Sequence, residues 1–223
     1  MTTVKTLIDK CAFVLKDPTF DRWTKPRLIS YTDEAQKELA RLPGAYVKTT
    51  NVNLVKGTKQ HLPEDAYMLV SVTRNWDKDE DGPLQPVRPI SKGLLNSFDP
   101  FWHMERQLPY VENYTYDPQI KDEFWVYPPN DGTGVVEVQY SAVPKTLENE
   151  DDEIVLPQQY ELPMILYVLY RAYMTDSDYS GGLSLANSYY QLYINMGKAA
   201  SADAAPPEPV PAAPAAPAAP QGA

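Results

Sequence analysis

The two histidines are the first side chains to consider for catalysis, because nucleophilic catalysis needs a base beside a nucleophile. His61 follows a predicted hairpin, and His103 lies in the aromatic stretch Phe101-Trp102-His103. Neither histidine has a recognisable catalytic frame around it, so we assign both to structural roles. Glycine-rich phosphate-binding patterns are absent, and the single cysteine, Cys11, cannot form a zinc cluster with two distant histidines.

An acidic turn is the one candidate for a metal site. Asp77, Asp79 and Asp81 occupy alternate positions before Gly82, as in the first half of a calcium-binding loop. The closing position of such a loop is a bidentate Glu, and here it is Arg88. An acidic hairpin turn is therefore the favoured interpretation and a weak calcium-like turn the alternative, and we predict no cofactor.

Two further patterns could carry function. The acidic run at 148–153 lacks the apolar surroundings that would raise a carboxyl pKa, so a solvated loop is predicted. Exposed aromatic residues such as Phe101 and Trp102 could bind carbohydrate, but their spacing does not distinguish binding from packing. With no catalytic residues identified, we expect that the protein is not an enzyme.

The composition limits the possible partners. The chain has 223 residues, a formal net charge of -10 and 43% hydrophobic residues. An acidic surface disfavours binding to DNA, which depends on Lys and Arg. The acidity either only keeps the protein soluble or also lets DNA slide past without sticking. No apolar run approaches the ~20 residues of a membrane span, and no signal peptide is recognisable, so we expect synthesis in the cytoplasm and no membrane contact.

Hydrophobic periodicity predicts helices at both ends of the chain and strands between them. Helical spacing occurs at 2–16, 25–41, 157–174 and 179–198, with a short helix in 91–100. Alternating, Val- and Tyr-rich segments predict antiparallel strands at 46–55, 66–76, 111–116, 123–127 and 135–143.

These elements predict an α+β fold, an antiparallel four-helix bundle with an inserted antiparallel β region. The predicted parts are an N-terminal helical pair (1–44), the inserted β region (45–156), a C-terminal helical hairpin that completes the bundle (157–198) and an extended Ala/Pro-rich tail (199–223).

The tail and the tyrosines are the candidates for partner contacts. By composition the tail has 12 Ala and 7 Pro and cannot bury enough apolar surface to order alone. The 16 tyrosines fit either contacts between subunits or an aromatic-rich core. The contact residues that we predict are Pro206, Pro207, Pro209 and Pro211 of the tail and Tyr189, Tyr190 and Tyr193 of the last helix.

An ordered series of short segments resembles the head-to-tail adaptor (connector) proteins of short-tailed phages. The series begins with VKTLIDK at 4–10 and LISYTDEAQ at 28–36, and it includes FWVYPP at 124–129 and YVLYRAY at 167–173. Further matching segments lie at 17–19, 22–23, 55–60, 62–63, 70–75, 116–118 and 140–142. The resemblance covers roughly 4–196 and leaves out the Ala/Pro tail.

The resemblance implies a structural subunit of the virion at the head–tail junction. Its expected partners are copies of itself in a ring (dodecameric in similar proteins), the portal protein, a tail nozzle or tube protein, and tail fibres. Viral DNA would pass through the ring during ejection without specific binding. The alternatives are another virion structural protein, such as a fibre-docking or capsid-decorating subunit, or a carbohydrate-binding module.

Overall fold

A computed structural model of the chain describes residues 2–176 and 181–204. The helices in these residues are α1 (Val4–Leu15), α2 (Lys25–Ala40), α3 (Lys92–Phe98), α4 (Glu161–Met174) and α5 (Gly182–Ala204). Helix α1 begins after Thr3, whose hydroxyl accepts a hydrogen bond from the Thr6 N–H and so caps the helix. Within the described residues, no helix combines the length and apolar character that crossing a membrane requires.

The connection between α1 and α2 is fixed by one buried carboxylate. The side chain of Asp17 accepts hydrogen bonds from the backbone N–H groups of Asp21, Arg22 and Trp23, at 3.0, 2.9 and 2.9 Å. These hydrogen bonds, of which that from Trp23 is the most important, lower the pKa of Asp17. The turn therefore places Trp23 in the core, where its ring packs edge-on against Tyr173 of α4.

Helix α4 is the centre of the helical part. It buries Met164, Tyr167 and Val168 among others, on more than one of its faces, and it contacts α1, α2 and α5. Helix α5 packs chiefly on α4, whereas α1 and α2 also touch each other. Because α4 is apolar around most of its circumference, it can accept three neighbours at once.

The middle of the chain forms two four-stranded sheets. The strands are β1 (Val47–Asn53), β2 (Gly57–His61), β3 (Ala66–Asp77), β4 (Gly82–Pro86), β5 (Arg88–Pro89), β6 (Asn113–Tyr116), β7 (Glu123–Asn130) and β8 (Val135–Ala142). One four-stranded sheet has the order β1-β8-β3-β4 and the other β2-β7-β6-β5. All the strand pairs are antiparallel except β5 with β6, which is parallel.

The two sheets enclose a hydrophobic core of their own. Its centre contains Phe124, Val126, Val136 and Val138, none of which is exposed to solvent. Alternation along β7 and β8 sends these side chains to the interior, while Trp125 and Tyr127 of β7 and the polar Glu137 and Gln139 of β8 are half-buried on the opposite faces. The two sheets therefore bury their apolar faces against each other and not against the long helices.

The predicted four-helix bundle with an inserted β region is wrong. The structure is α+β, with five helices and two four-stranded sheets in its described residues, and the β part is a body with its own core. The helices do not shield one another as equals, since three of them pack around α4. The strands β2, β4 and β5 were not predicted, and helix α5 continues to Ala204, beyond the predicted end at residue 198.

Candidate assembly surfaces

The acidic turn between β3 and β4 uses its carboxylates to hold its own shape. Asp77 accepts hydrogen bonds from the backbone N–H groups of Asp79 and Glu80, at 2.8 and 3.2 Å. Asp81 has a left-handed φ of 47° and accepts a hydrogen bond from the Trp76 indole at 3.0 Å. Across 2–176 and 181–204, no three His, Cys, Asp or Glu side chains are grouped to hold a metal ion. The geometry is that of a hairpin turn.

The histidines do not form a catalytic pair. His61 is exposed near the end of β2, whereas His103 stacks on the ring of Trp102, with ring centroids 3.5 Å apart. The Thr58 hydroxyl lies 2.9 Å from His103 Nδ1. Burial, followed by the charge of Lys92, lowers the pKa of His103. Within the described residues the hydrogen-bond partner of the His103 ring is the Thr58 hydroxyl and not a carboxylate, so the third member of a nucleophilic triad is missing there.

The aromatic stretch at 101–103 is divided between core and surface. Trp102 is completely buried, and its indole N–H donates to Asn96 Oδ1 at 2.8 Å. Phe101 is 71% exposed. Stacking on a sugar needs an accessible aromatic face, so Trp102 is not available for carbohydrate binding. Its role is to anchor the segment that carries Phe101.

That segment forms an apolar protrusion on the β part, defined by the exposed side chains of Leu94, Phe98, Phe101 and Met104. Helix α3 supplies the first two of these residues, one turn apart, and the following single 3-10 turn supplies Met104. Buried Leu95 and Trp102 fix the segment from beneath. Large apolar groups concentrated in this way on a surface mark a contact site for another protein.

The tyrosines of α5 pack against those of α4 within the same chain. The ring pairs are Tyr167 with Tyr193, Tyr170 with Tyr190 and Tyr173 with Tyr189, at centroid distances of 5.2, 5.0 and 5.7 Å. The order of the pairs shows that the two helices are antiparallel. Tyr193 is buried, which raises its pKa to about 12, while Tyr189 is half-buried and Tyr190 is 38% exposed. The predicted tail contacts Pro206, Pro207, Pro209 and Pro211 lie outside the described residues.

Helix α5 presents an exposed surface that is almost free of charge. We define the α5 outer face by five exposed side chains that share one side of the helix: Ser188, Leu192, Asn195, Met196 and Ala199. Leu192 and Met196 are 50% and 40% exposed, one turn apart. Exposed apolar residues together with depletion of charge are the composition of the core of a protein interface.

Helix α2, in contrast to α5, has a charged exposed surface. Its accessible side carries Arg27, Glu34, Lys37 and Glu38, which is the composition of a helix face that stays in water. Two of its acids are engaged, Asp33 with Lys37 and Glu34 with Arg171 of α4. The comparison shows that the neutral surface of α5 is a property of that helix and not of every helix in the protein.

Sequence reasoning singled out α5 for its tyrosines but missed its outer face. The signal was present, because Lys198 and Asp203 are the only charged residues in the 23 residues of α5. A helix so poor in charge, at the edge of an acidic protein, indicates a surface that another chain covers.

Comparison with known proteins identifies the family of the chain. No curated protein matches the chain. A family model, described as SU10 adaptor protein, matches residues 2–215, which is nearly the whole chain. The protein therefore belongs to the SU10 adaptor protein family, a family of phage head-to-tail adaptors.

Proposed function

We propose that the chain is a non-enzymatic structural subunit of the phage neck that forms a ring, docks on the portal and joins it to the tail. The single observation that carries the proposal is the α5 outer face, an exposed and uncharged surface on a member of an adaptor family. The α5 outer face runs from Ser188 to Ala199 and is about 17 Å long, at ~1.5 Å per residue. Such a length gives one continuous contact along the side of a neighbouring subunit.

A ring needs two different contact surfaces on each subunit, because each copy meets one neighbour on its left and another on its right. The α5 outer face supplies one of them. The apolar protrusion, which lies on the β part, is a second exposed surface that supports contacts to the portal or the tail. Its four large side chains would otherwise remain in water.

Charge supports a passive role toward DNA. The formal net charge of -10 makes the subunit repel the phosphate backbone instead of binding it. A ring of such subunits would keep a channel through which DNA slides during ejection. We expect no sequence preference and no measurable affinity for duplex DNA at physiological salt.

The test compares two helix-surface variants for loading onto the portal of the same phage. Leu192→Glu places a charge in the α5 outer face, and Ser30→Glu places the same charge on the exposed side of α2 as the control. Both positions are solvent-exposed, so both variants should fold and melt like the natural chain. Native mass spectrometry then counts the chains on each portal.

We expect the natural chain and Ser30→Glu to load one copy for each portal subunit, with weak self-assembly in the absence of portal. Leu192→Glu should load incompletely, because a desolvated carboxylate in the interface has no partner. Full loading by Leu192→Glu would show that the α5 outer face is not the lateral contact. No loading by the natural chain would refute portal docking itself.

A further inference from the structure

The outer edge of β1 is a row of backbone groups that have no partner in the described residues. Strand β1 pairs with β8 on one side. Two hydrogen bonds flank this pairing, from the Leu54 N–H to Gly134 O and from the Ala142 N–H to Tyr46 O. They show which alternate residues of β1 bond to β8. Even-numbered residues of β1 therefore direct their N–H and C=O groups to β8. The backbone groups of Val47, Thr49 and Asn51 point away, and we call these the β1 outer edge.

The other sheet edges in the described residues are protected. Strand β4 carries Pro83 and Pro86, and β5 carries Pro89. Proline has no N–H to donate, so these two edges resist the addition of a strand. Strand β2 is short, and its Gln60 side chain is bonded to Val55 and to the Gly57 carbonyl, which holds the preceding loop against it.

Strand β1 has none of these protections. It is seven residues long and contains no proline, and its one charged residue, Lys48, is paired with Asp65 at 2.6 Å. The side chains on its exposed face, at Val47, Thr49, Asn51 and Asn53, are all uncharged. An unprotected edge of this length is a template for pairing with another strand.

We propose that the β1 outer edge binds an extended segment of a different virion subunit, which adds as a fifth strand to the β1-β8-β3-β4 sheet. The proposal rests on the proposed function for the ring. In a ring, two copies cannot pair β1 with β1, because that contact needs a two-fold axis and neighbours in a ring meet through different faces. The β4 and β5 edges of a second copy are excluded by their prolines.

The Ala/Pro tail of the chain itself is also unsuited to this edge. From Pro211 onward its sequence has proline at every third position, at 211, 214, 217 and 220. A strand that adds to an edge must donate from alternate residues, and a proline at every third residue interrupts that donation. The partner segment is therefore a run of about seven residues with few charges and without proline at the donating positions, from the portal or from a tail protein.

Hydrogen exchange of the intact chain, free and within assembled phage particles, tests this proposal. In the free chain, the amides of Thr49 and Asn51 should exchange quickly, and those of Thr50 and Val52, which face β8, slowly. In particles the Thr49 and Asn51 amides should slow by about tenfold or more, because a new strand closes them. Unchanged exchange of these amides in particles that contain the chain would overturn the inference while leaving the proposed function intact. Absence of the chain from particles would overturn both.

A pair of variants at one position separates backbone pairing from side-chain contact. Thr49→Pro removes the outward N–H, and Thr49→Val removes the hydroxyl but keeps the N–H. Both should melt near the natural temperature, since the position is exposed and faces away from β8. We expect at least about tenfold fewer infectious particles with Thr49→Pro and a normal yield with Thr49→Val. Equal yields would overturn the inference.

Cross-linking of particles identifies the occupant. A photo-reactive residue in place of Asn53, at the end of β1, should link the chain to the portal or to a tail protein. A link between two copies of this chain would overturn the proposed occupant. The outcome does not depend on the α5 outer face, because Leu192→Glu tests that surface separately.

Discussion

Replacing Asn75 should destabilise the β part, because its side chain links β3 to the other sheet. Asn75 is buried in β3, at the point where the register with β4 shifts. Its amide nitrogen donates to Val111 O at 2.8 Å and to Gln85 O at 3.2 Å, and its Oδ1 accepts from the Val111 N–H at 2.9 Å. The side chain thereby supplies a partner to β4 where the ladder is irregular and ties β3 to the chain that leads into β6.

The expected loss of stability in Asn75→Leu follows from these three hydrogen bonds. Asn75→Leu keeps the approximate size of the side chain but leaves the backbone groups of Val111 and Gln85 without that partner. At about 1 kcal/mol for each lost hydrogen bond, and more where a buried group stays unsatisfied, the free energy of unfolding should fall by about 2–4 kcal/mol. Asn51→Leu, at an exposed strand position, is the control and should change it by less than about 0.5 kcal/mol.

A second substitution adds a pH signature. Asn75→Asp keeps the acceptor for the Val111 N–H, but when ionised it faces two carbonyl oxygens in a buried site. Burial and these acceptors would raise the pKa of the new carboxyl above its unfolded value, so the ionised form is disfavoured in the folded state. The loss of stability relative to the natural chain should therefore be small at acidic pH and grow as pH rises through the folded pKa.

Urea unfolding, followed by tryptophan fluorescence at several pH values, measures both effects. We expect a larger loss of unfolding free energy for Asn75→Leu than for Asn51→Leu. The loss for Asn75→Asp should depend on pH. If Asn75→Leu were as stable as Asn51→Leu, Asn75 would not hold the two sheets together.

Three further predictions concern single sites. Trp102→Ala should lower the free energy of unfolding by about 3–5 kcal/mol, and Phe101→Ala by less than about 0.5 kcal/mol, in thermal melts, because only Trp102 is buried. Asp17→Asn should be less stable than the natural chain at neutral pH, and the difference in urea midpoints should shrink as pH falls through the lowered folded pKa of Asp17. Burial raises the pKa of Cys11 to about 12, so a thiol reagent at pH 8 should modify it only after denaturant is added.

The positions of most helices and long strands could be predicted from the sequence, because periodicity records which face of an element is covered. It does not record what covers the face. The apolar stripes of the four long helices were therefore expected to cover one another equally, whereas the structure packs α1, α2 and α5 around α4. The apolar alternation of β7 and β8 likewise could not reveal that the sheets would cover each other.

The strands that were not predicted contain residues that are typical of turns. Pro83 and Pro86 make β4 look like a loop, although proline is tolerated in an edge strand. Gly57, with φ of 108°, opens β2, although glycine is typical of turns and uncommon in strands. Both strands lie at sheet edges, where local sequence preferences are weakest and pairing with a distant strand decides the conformation.

The candidate surfaces were only partly predictable for a related reason. Phe101 and Trp102 are adjacent aromatic residues, and no periodicity in a short turn tells which of them enters the core. The tyrosines of α5 were correctly placed on a helix, but their partners in α4 are about 20 residues away in sequence, and only the antiparallel packing of the two helices brings the rings together.

The most direct test of the proposed ring is an image of the particle neck at a resolution that separates helices. We expect a closed ring of copies of this chain beneath the portal, with the α5 outer face of each copy covered by its neighbour. A neck in which the chain occurs as isolated copies, or in which Leu192 and Met196 face solvent, would contradict it.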